Sequence, residues 1–577
     1  MADPREVLAA RVKDALGAAF GAEYADADPL IRPSQFADFQ ANAALPLAKR
    51  LGRPPREVAA ELASHLDLAG VAAAAPEVSG PGFINITLSG EWIAAQATDQ
   101  LRDPHLSVSP ADPAQKIVVD YSGPNVAKEL HVGHLRATVV GDAIVRILEY
   151  LGHTVVRAAH LGDWGTPFGM LIEHVLDVGE EVTHEQLSAG EITPFYQAAR
   201  AKFDSDPAFA ERARRRVVAL QGGDPGTLRL WQVMVEDSKQ YYLTIYRRLG
   251  VALTDADMAP ESFYNPLLAD VCAELEAAGI AVISDGALCV FPPGFTGRDG
   301  RPLPLILRKS DGGYGYDSTD MAAIRYRLLD LHAQRLIYVV GSEQSQHLQM
   351  VFAAAREAGW LVSPARAEHA AIGLVTGTDG RRLKTRTGEQ IKLITLIDEA
   401  VERAAKVIAD RYDDPVQRDE IADAVGIGAL KYGDLSVARD SSYTFDFDRM
   451  LALNGNTGPY LQYATARIRS IFRRAGLEPG AATGPIRLTE EAERALALAM
   501  LGFGTVLSQA AQTAEPHVLA AFLFEVASAF TTFYEQCPVL QAPTDSVRGS
   551  RLALSALALG VLTTGLSLLG VPVPERM

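Results

Sequence analysis

The sequence predicts an α/β protein whose central domain has a Rossmann-like parallel sheet, with a small α+β domain before it and an all-α helical bundle after it. The apolar, β-branched run Lys116–Asp120 ends at Ser122-Gly123-Pro124, as a buried strand ends at a turn. Apolar residues at helical spacing follow from Leu135 to Leu151, and strand and helix patterns alternate again toward residue 340. This alternation is typical of a parallel sheet, whereas only helical spacing recurs beyond residue 400.

The N-terminal region, residues 1–108, predicts the α+β domain. It begins with a helical pattern, and a second helix is expected over Ala43 to Leu51. The turn Gly80-Pro81-Gly82 leads into an alternating strand. We interpret the phenylalanines of this region as core residues rather than contacts: Phe36, Phe39 and Phe83. The Pro-rich run from Asp103 to Pro113 is typical of a linker.

The most informative motif lies between the first predicted strand and helix of the central domain. His131-Val132-Gly133-His134 follows the carboxyl end of a parallel strand, where open α/β sheets bind ligands. The next helix directs free N–H groups and its positive dipole end there, which favours an anion. Gly133 lets a flat base approach the backbone, and the two imidazoles can donate to phosphate oxygens. The motif predicts nucleotide activation, and a structural pair of buried histidines is the alternative.

The residues around this motif carry a family resemblance. Residues 121–169, YSGPNVAKELHVGHLRATVVGDAIVRILEYLGHTVVRAAHLGDWGTPFG, resemble the nucleotide-binding half of arginyl-tRNA synthetases, whose HIGH-type motif marks class I aminoacyl-tRNA synthetases. FADFQANAALPLAKRLGRPPREVA, residues 36–59, and GPGFINI, residues 80–86, are similar to the family's N-terminal extension, which contacts the tRNA elbow. Residues 455–467 and the ending Glu575-Arg576-Met577 resemble the family's anticodon-binding domain.

The resemblance implies three domains. Residues 1–108 would be the N-terminal tRNA-elbow-contacting domain, 109–400 the class I catalytic domain, and 401–577 the helical stem-contact and anticodon-binding domain. The catalytic domain includes a strongly helical insertion at about 180–250. Its arginine-rich run, Arg212–Arg216, is interpreted as a solvated helix face, with an acceptor-stem contact as the alternative.

A second motif follows the second half of the predicted sheet. Residues 376–389 combine glycines with cations, which suits a lid that closes on a polyphosphate, and an exposed turn is the alternative. Its position is similar to that of the KMSKS loop of class I synthetases. Lys384 is retained, whereas Thr385 stands where the signature has its second lysine. Lys128 resembles the replacement that arginyl-tRNA synthetases often use.

These motifs supply the predicted catalytic residues, which are His131, His134, Lys128 and Lys384. We expect the two imidazoles to steady the α-phosphate and the leaving phosphates, and the two lysines to neutralise pyrophosphate. Gly133 joins His131, His134 and Lys384 as the predicted ATP-binding set. Mg²⁺ is expected to accompany ATP without a dedicated protein cage. No general base is evident, so orientation and electrostatics must supply most of the rate.

The predicted amino-acid pocket is acidic. An arginine side chain carries a planar cationic fork that pairs best with carboxylates. Tyr316 and Asp320 are four residues apart, so on one helical turn they face the same side, and Glu261 is a further acid. The resemblance implies that Asp120 meets the α-amino group and that four other residues hold arginine: Asn125, Tyr316, Asp320 and Gln344.

The tRNA-binding candidates lie in the helical region. Aromatic faces beside arginines suit unstacked bases and their phosphates. Tyr460, Tyr463 and Tyr534 are the candidates, together with the terminal Met577. Packed core tyrosines are the alternative.

Composition limits the other classes of function. The 577 residues carry a net charge of −17, which alone would argue against nucleic acid, but a large acidic chain can still present a basic face. The 3 cysteines are far apart, which argues against a disulfide framework and a thiolate zinc site, and no metal site is predicted. No uninterrupted apolar run reaches the ~18 residues of a membrane span. We therefore expect a cytoplasmic protein without membrane contact, and a monomer.

Residues and resemblance together predict ATP-dependent ligation of L-arginine to tRNA(Arg) through an arginyl-adenylate, with activation that requires bound tRNA. One departure is Pro167, where the family usually has glutamine. It leaves room for a synthetase-like paralogue that charges tRNA for a secondary pathway or with another amino acid. A tRNA-binding or nucleotidyl-transferring protein without aminoacylation is the second alternative.

Overall fold

The chain divides into two units in the computed structural model, which describes residues 3–181, 183, 192–297, 299–381, 383, 390–409, 414–482 and 484–577. The first unit comprises Met1–Pro110, Ala452–Ser567 and Val573–Met577, and the second comprises Ala111–Leu451 and Leu568–Pro572. The two ends of the sequence therefore build one unit, and its middle builds the other.

The N-terminal part of the first unit has the expected α+β structure. Its antiparallel sheet has the order β1-β2-β4-β3. The strands are β1 (Ile31–Pro33), β2 (Phe39–Ala41), β3 (Glu77–Ser79) and β4 (Phe83–Ile86). The helices are Pro4–Phe20, Ala44–Leu51, Pro55–His65 and Gly90–Arg102.

The phenylalanines of this part do not share one environment. Phe39 is buried on β2, but Phe36 is 84 % exposed, so the expectation that it is a core residue was wrong. Phe36 lies in the bend between β1 and β2, where its N–H is bonded to the Ser34 hydroxyl oxygen. Alternation along a strand places a side chain in the core, and a bend has no such alternation.

The C-terminal part of the first unit is the predicted helical bundle. Its helices are Gly458–Ala475, Glu491–Leu501, Phe503–Thr513, His517–Gln536 and Asp545–Leu568. Leu496, Leu523 and Leu557 are fully buried among them. One ion pair is buried with them, because Arg551 Nε lies 2.7 Å from Glu493 Oε1.

Three stretches of this bundle are long and apolar enough to cross a membrane, judged by length and composition only. They are Glu491–Thr513, His517–Gln536 and Asp545–Leu568, with mean hydropathies of 1.3, 1.3 and 1.5. The sequence expectation considered uninterrupted apolar runs and did not single these stretches out. In the last of them, 78 % of the apolar window is buried inside the protein.

The second unit contains the parallel sheet that the sequence predicts. Its strand order is β11-β10-β5-β6, and all neighbouring strands are parallel. The strands are β5 (Lys116–Tyr121), β6 (Thr154–Ala158), β10 (Arg335–Val339) and β11 (Arg366–His369). The carboxyl ends of all four strands therefore meet at one edge, where the candidate site lies.

Smaller elements complete the second unit. An antiparallel sheet consists of β7 (Ala281–Ser284), β8 (Ala287–Val290) and β9 (Leu305–Arg308), and β12 (Val375–Thr376) pairs in parallel with β13 (Tyr443–Thr444). The helices before β10 are Val132–Tyr150, Thr166–Val178, Ile192–Ser205, Pro207–Gln221, Pro225–Leu249, Asn265–Ala277 and Tyr316–Arg325. A π-helical turn, Tyr326–Asp330, extends the last of these. The later helices are Ser345–Glu357, Leu393–Ile408, Pro415–Leu435 and Phe447–Met450.

The helix Val132–Tyr150 packs closely on β5. A Cβ atom at Gly141 would lie 2.4 Å from the Cβ of Tyr121, a separation that real side chains do not tolerate. The absence of a side chain at this position thus allows the helix that follows the HVGH motif to lie directly on the strand that precedes it.

The arginine-rich run of the helical insertion is ion-paired within the second unit. Arg212 and Arg216 both contact Glu173, at 3.1 and 2.8 Å. Arg215 contacts Glu211 on its own helix at 3.1 Å. These pairs favour the solvated, ion-paired interpretation over an acceptor-stem contact.

Residues 401–451 pack in the second unit, whereas the sequence placed them in the C-terminal domain. A buried ion pair joins this region to the HVGH helix: Arg136 Nε lies 2.7 Å from Asp434 Oδ1, and both side chains are almost fully buried. Arg136 also donates to the carbonyl oxygens of Ser441 and Ala438. Such long-range pairing is invisible in helical periodicity, which placed the boundary at residue 400.

The Arg136–Asp434 pair yields a stability prediction. Arg136→Met leaves a buried carboxylate unpaired, so we expect a loss of about 3–5 kcal/mol in the free energy of unfolding. Urea unfolding followed by tryptophan fluorescence measures it, since Trp164, Trp231 and Trp360 all lie in the second unit.

Two further variants control this test. Arg215→Met removes an arginine whose side chain is 77 % exposed, so we expect less than about 1 kcal/mol. The double variant Arg136→Met/Asp434→Leu removes both charges and should recover most of the loss. Equal effects of the two single variants would contradict this account.

Candidate active site

The HVGH motif forms the start of the helix Val132–Tyr150, with His131 as its N-cap. The Gly133 N–H donates to His131 Nδ1 at 3.1 Å, and the His131 N–H donates to His134 Nδ1 at 3.1 Å. Because both Nδ1 atoms accept, the neutral rings carry their protons on Nε2. The two rings lie 4.0 Å apart, so the motif offers two adjacent Nε2–H donors to a ligand.

Both imidazoles are held neutral. Burial, followed by the nearby His131, lowers the pKa of His134 to about 3. Burial and then the Lys128 ammonium lower the pKa of His131 as well. At neutral pH the pair therefore acts through hydrogen-bond donation and not as a pair of cations.

His131, Gly133 and His134 line a cavity of about 570 Å³ at the carboxyl edge of the parallel sheet. Two residues predicted to bind the amino acid, Asn125 and Gln344, line the same cavity. The structure thus brings together five of the predicted site residues. The volume and the free N–H donors suit a nucleotide with a small substrate beside it.

The chain that follows the KMSKS-like segment is bound directly to the HVGH motif. The Val132 N–H donates to the Ile391 carbonyl oxygen at 3.0 Å, and the Leu393 N–H donates to that of Leu130 at 2.8 Å. Lys392 and Glu129 form an ion pair beside this bridge, at 2.8 Å.

Of the two predicted lysines, only Lys128 belongs to the described part of the chain, and it is not among the residues that line this cavity. Lys384 and Thr385 lie outside the described residues. Lys128 is exposed, and its ammonium lies 5.1 Å from the centre of the Tyr196 ring.

The predicted arginine-binding residues are divided between two cavities. Tyr316, 65 % exposed, lines a second cavity of about 470 Å³ with Glu261. Asp320 lines neither cavity but meets two imidazoles. His347 Nε2 lies 2.6 Å from Asp320 Oδ2, and His160 Nε2 lies 3.9 Å from Oδ1.

Asp120 is already paired in the structure. It lies on β5 opposite Tyr338, and its Oδ2 is 2.7 Å from Nη2 of the buried Arg327. An α-amino group would therefore have to share the carboxylate with Arg327. Arg327 lies on the π-helical turn, and nothing in the sequence pattern marks it as a site residue.

The acids around Asp320 affect one another. Burial, then the charges of Asp163 and Asp320, raise the pKa of Glu261 to about 8. Asp163 accepts hydrogen bonds from the Ser262 N–H at 2.9 Å and from its hydroxyl at 2.5 Å. Not all the acids in this part of the site are therefore ionised at neutral pH. Such a surplus of acids is expected of a pocket for a cation.

The tRNA-binding candidates lie in the first unit. Arg467 lies over the rings of Tyr463 and Tyr534, 4.8 and 5.1 Å from their centres. The Tyr460 hydroxyl lies 3.2 Å from the Thr531 hydroxyl. Met577 is half-buried, and Arg469 and Arg473 donate to carbonyl oxygens of the residues shortly before it.

In the described part of the chain, no group of three or more histidine, cysteine, aspartate or glutamate side chains could hold a metal ion. The three cysteines, Cys272, Cys289 and Cys537, are buried free thiols.

Family profiles match nearly the whole chain. The family described as tRNA synthetases class I (R), catalytic domain, matches residues 99–447. The arginyl tRNA synthetase N terminal domain matches residues 6–88, and the DALR anticodon binding domain matches residues 461–577. The chain belongs to the arginyl-tRNA synthetase family.

Curated relatives of this arginyl-tRNA synthetase family member span its full length. The arginine–tRNA ligase of Thermobifida fusca is 61 % identical over 579 residues, which cover 100 % of both chains. Those of Frankia casuarinae and Edwardsiella ictaluri are 50 and 47 % identical, covering 96 % and at least 99 % of both chains.

Solved structures give the same result. The crystal structure of arginyl-tRNA synthetase from Plasmodium falciparum has a TM-score of 0.86 at 29 % identity and covers 99 % of both chains. Thermus thermophilus arginyl-tRNA synthetase has a TM-score of 0.81 at 26 % identity and covers 100 % of both. The predicted fold class, a class I catalytic domain with an N-terminal domain and a helical C-terminal domain, is thereby confirmed.

The neutral state of His134 in this arginyl-tRNA synthetase family member yields a pH prediction. In the unfolded chain, His134 takes up a proton near its ordinary pKa of 6.5. In the folded chain, the lowered pKa delays this protonation until about pH 3. Stability should therefore fall as the pH drops from 6.5 toward 3. His134→Gln should show a shallower fall when unfolding is measured by denaturant titration at several pH values.

The matched control is His65→Gln, which changes an exposed histidine in the first unit. It should keep the slope of the unchanged protein. A His134→Gln slope equal to that of the unchanged protein would show that the buried imidazole does not resist protonation.

Proposed function

We propose that this chain ligates L-arginine to tRNA(Arg) with ATP, in two steps through an arginyl-adenylate. The observation that carries the proposal is the cavity in which the two Nε2–H donors of the HVGH motif face the same space as Asn125 and Gln344. Membership of the arginyl-tRNA synthetase family supports it. The relatives reported above all bear the arginine–tRNA ligase name, which favours arginine charging over a paralogue with another substrate.

In the first step an arginine carboxylate oxygen attacks the α-phosphorus of ATP. The bond from that phosphorus to the bridging oxygen breaks, and pyrophosphate leaves. His131 and His134 donate from Nε2 to phosphate oxygens as negative charge builds on them. Because they are neutral, they contribute hydrogen bonds and no full positive charge. Lys128 and Lys384 would neutralise the leaving pyrophosphate.

In the second step a terminal ribose hydroxyl of tRNA attacks the carbonyl carbon of the adenylate. The ester bond forms, the hydroxyl proton leaves, and AMP departs with the former carboxylate oxygen. The chain contributes by holding both reactants in line. Mg²⁺ would arrive on the ATP phosphates and neutralise part of their charge, since no cage of acids is present among the described residues.

Selection of arginine rests on its charged planar fork. Asp320 and Tyr316 would meet the guanidinium, and Asn125 and Gln344 the rest of the amino acid. Asp120 would meet the α-amino group with its oxygen that does not face Arg327. Neutral analogues are disfavoured because they cannot form the charge-assisted hydrogen bonds that a guanidinium makes with a carboxylate.

The tRNA would be held by the first unit. Tyr463 and Tyr534 offer flat faces on either side of Arg467, which suits an unstacked loop base and its phosphate. Tyr460 and Met577 are the further candidates, and the N-terminal domain would contact the tRNA elbow. We place the protein in the cytoplasm as a monomer without membrane contact.

The test is arginine-dependent exchange of pyrophosphate into ATP, with and without tRNA, across the standard amino acids. We expect exchange with arginine and tRNA together. His134→Ala removes one donor to the transition state and should lower kcat about 10²–10³-fold. Exchange with another amino acid, or full activity of His134→Ala while His65→Gln is also active, would refute the assignment or the histidine's role.

The tRNA surface has its own prediction. Tyr463→Leu removes a stacking face worth about 1–3 kcal/mol, so KM for tRNA should rise roughly 5–150-fold. Arginine binding measured without tRNA should stay unchanged. Phe524→Leu, next to Tyr460 in the same bundle, is the control for loss of an aromatic ring as such. An unchanged KM for tRNA would remove Tyr463 from the interface.

A further inference from the structure

His347 lies between two carboxylates of the helix Tyr316–Arg325. Its Nε2 is 2.6 Å from Asp320 Oδ2, and its Nδ1 is 3.5 Å from Asp317 Oδ1. The Tyr316 ring stands edge-on to the imidazole, with the centres 5.1 Å apart. Both ring nitrogens therefore face acceptors, which is the arrangement that an imidazolium satisfies and a neutral ring cannot.

The cluster is largely, but not fully, enclosed. The side chains of His347 and Asp320 are 20 and 23 % exposed. The hydrogen bond and charge of Asp320, followed by the charge of Asp317, outweigh burial and raise the pKa of His347. The other charged or titratable groups around Asp320 come from four further segments of the second unit: His160, Glu261, Arg327 and Tyr338.

Asp320 is also the carboxylate that the proposed function assigns to the guanidinium of arginine, and the present inference rests on that assignment. A guanidinium and an imidazolium cannot both occupy Asp320 Oδ2 without strong repulsion at contact distance. An imidazolium at His347 would thus stand where the guanidinium of the substrate has to bind.

We propose that His347 is a positioning residue that holds Asp320 as an imidazolium until arginine binds, and that it releases its proton when arginine takes that carboxylate. The exchange balances, because one positive charge enters with the guanidinium and one leaves as a proton. Asp320 stays ionised throughout, and the neutral His347 remains beside it to accept or donate one hydrogen bond.

The pH dependence follows from this exchange. Without arginine the pKa of His347 lies above its usual 6.5. With arginine bound, His347 loses the charge of Asp320 as its partner and its pKa falls. Between these two pKa values binding releases a proton, so the affinity for arginine should rise with pH across that interval and level off above it.

The experiment is isothermal titration calorimetry of the full chain with L-arginine near pH 7, in phosphate and in Tris. These buffers differ in ionisation enthalpy, so the difference in observed heat counts the protons released. The unchanged protein should release up to about one proton from this site. His347→Gln keeps a hydrogen-bond donor without a titrating charge, and should bind arginine with less proton release and a flatter pH profile.

Two further variants separate the sources of the proton. Glu261 is a second source of released protons, because its pKa of about 8 would fall beside a guanidinium. Glu261→Gln should therefore leave unchanged the protons that His347 releases. His347→Lys holds a permanent cation at Asp320 and should weaken arginine binding about equally at every pH. Thermal unfolding verifies that each variant is folded.

The outcomes discriminate between this inference and the proposed function. Arginine binding without any buffer-dependent heat overturns the inference alone. Release by His347→Gln equal to that of the unchanged protein overturns it as well, because the proton then comes from elsewhere. Failure of arginine to bind at all overturns the proposed function with it. A merely structural role of His347 would lower affinity at all pH values without changing the proton count.

Discussion

The parallel pairing of β5 with β10 is the constraint on which the site depends. It places Asp120 opposite Tyr338 and brings the ends of two distant chain segments to one edge of the sheet. The HVGH motif follows β5 and Gln344 follows β10, so one register decides that they share a cavity. A slip of one residue would turn Asp120 to the other face of the sheet and separate it from Arg327.

In the second unit, the electrostatic environment proposed for the phosphates is the opposite of the one proposed for arginine. Burial keeps the histidines of the HVGH motif neutral, so in the proposed function they would meet phosphate as dipoles that need no reorganisation. The acids on the amino-acid side would repel one another if all of them were ionised and unpaired. Arg327 supplies a cation there, the proposed imidazolium of His347 would supply another, and the raised pKa of Glu261 keeps a proton on it. An anion site is thus built from neutral donors, and a cation site from acids that are temporarily neutralised.

The sequence predicted what is local. The strand, the turn and the helix start around the HVGH motif follow from composition and spacing, and the structure shows them at Lys116–Tyr121 and Val132–Tyr150. The C-terminal helices and the parallel sheet were likewise expected, because hydrophobic periodicity records which face of an element is buried.

The sequence could not predict which charged residues pair when they lie far apart in the chain. Arg136 with Asp434, Arg327 with Asp120 and His347 with Asp320 each join segments that no spacing connects. For that reason helical periodicity did not show that residues 401–451 belong to the second unit, or that Tyr316 and the HVGH histidines line different cavities. The prediction that Phe36 is a core residue was wrong for a local reason. A bend lacks the strand-like alternation of buried and exposed side chains that would indicate the exposure of an aromatic residue.

The first unit is built from both ends of the sequence, and this has a consequence for folding during synthesis. Gln100, which is buried, donates its side-chain amide to the carbonyl oxygen of Met500, a partner 400 residues further along the chain. On the ribosome that partner emerges on the order of 20–80 s later at typical elongation rates of about 5–20 residues per second. The earliest segment to be made therefore waits for its partner helix while the middle of the chain is translated.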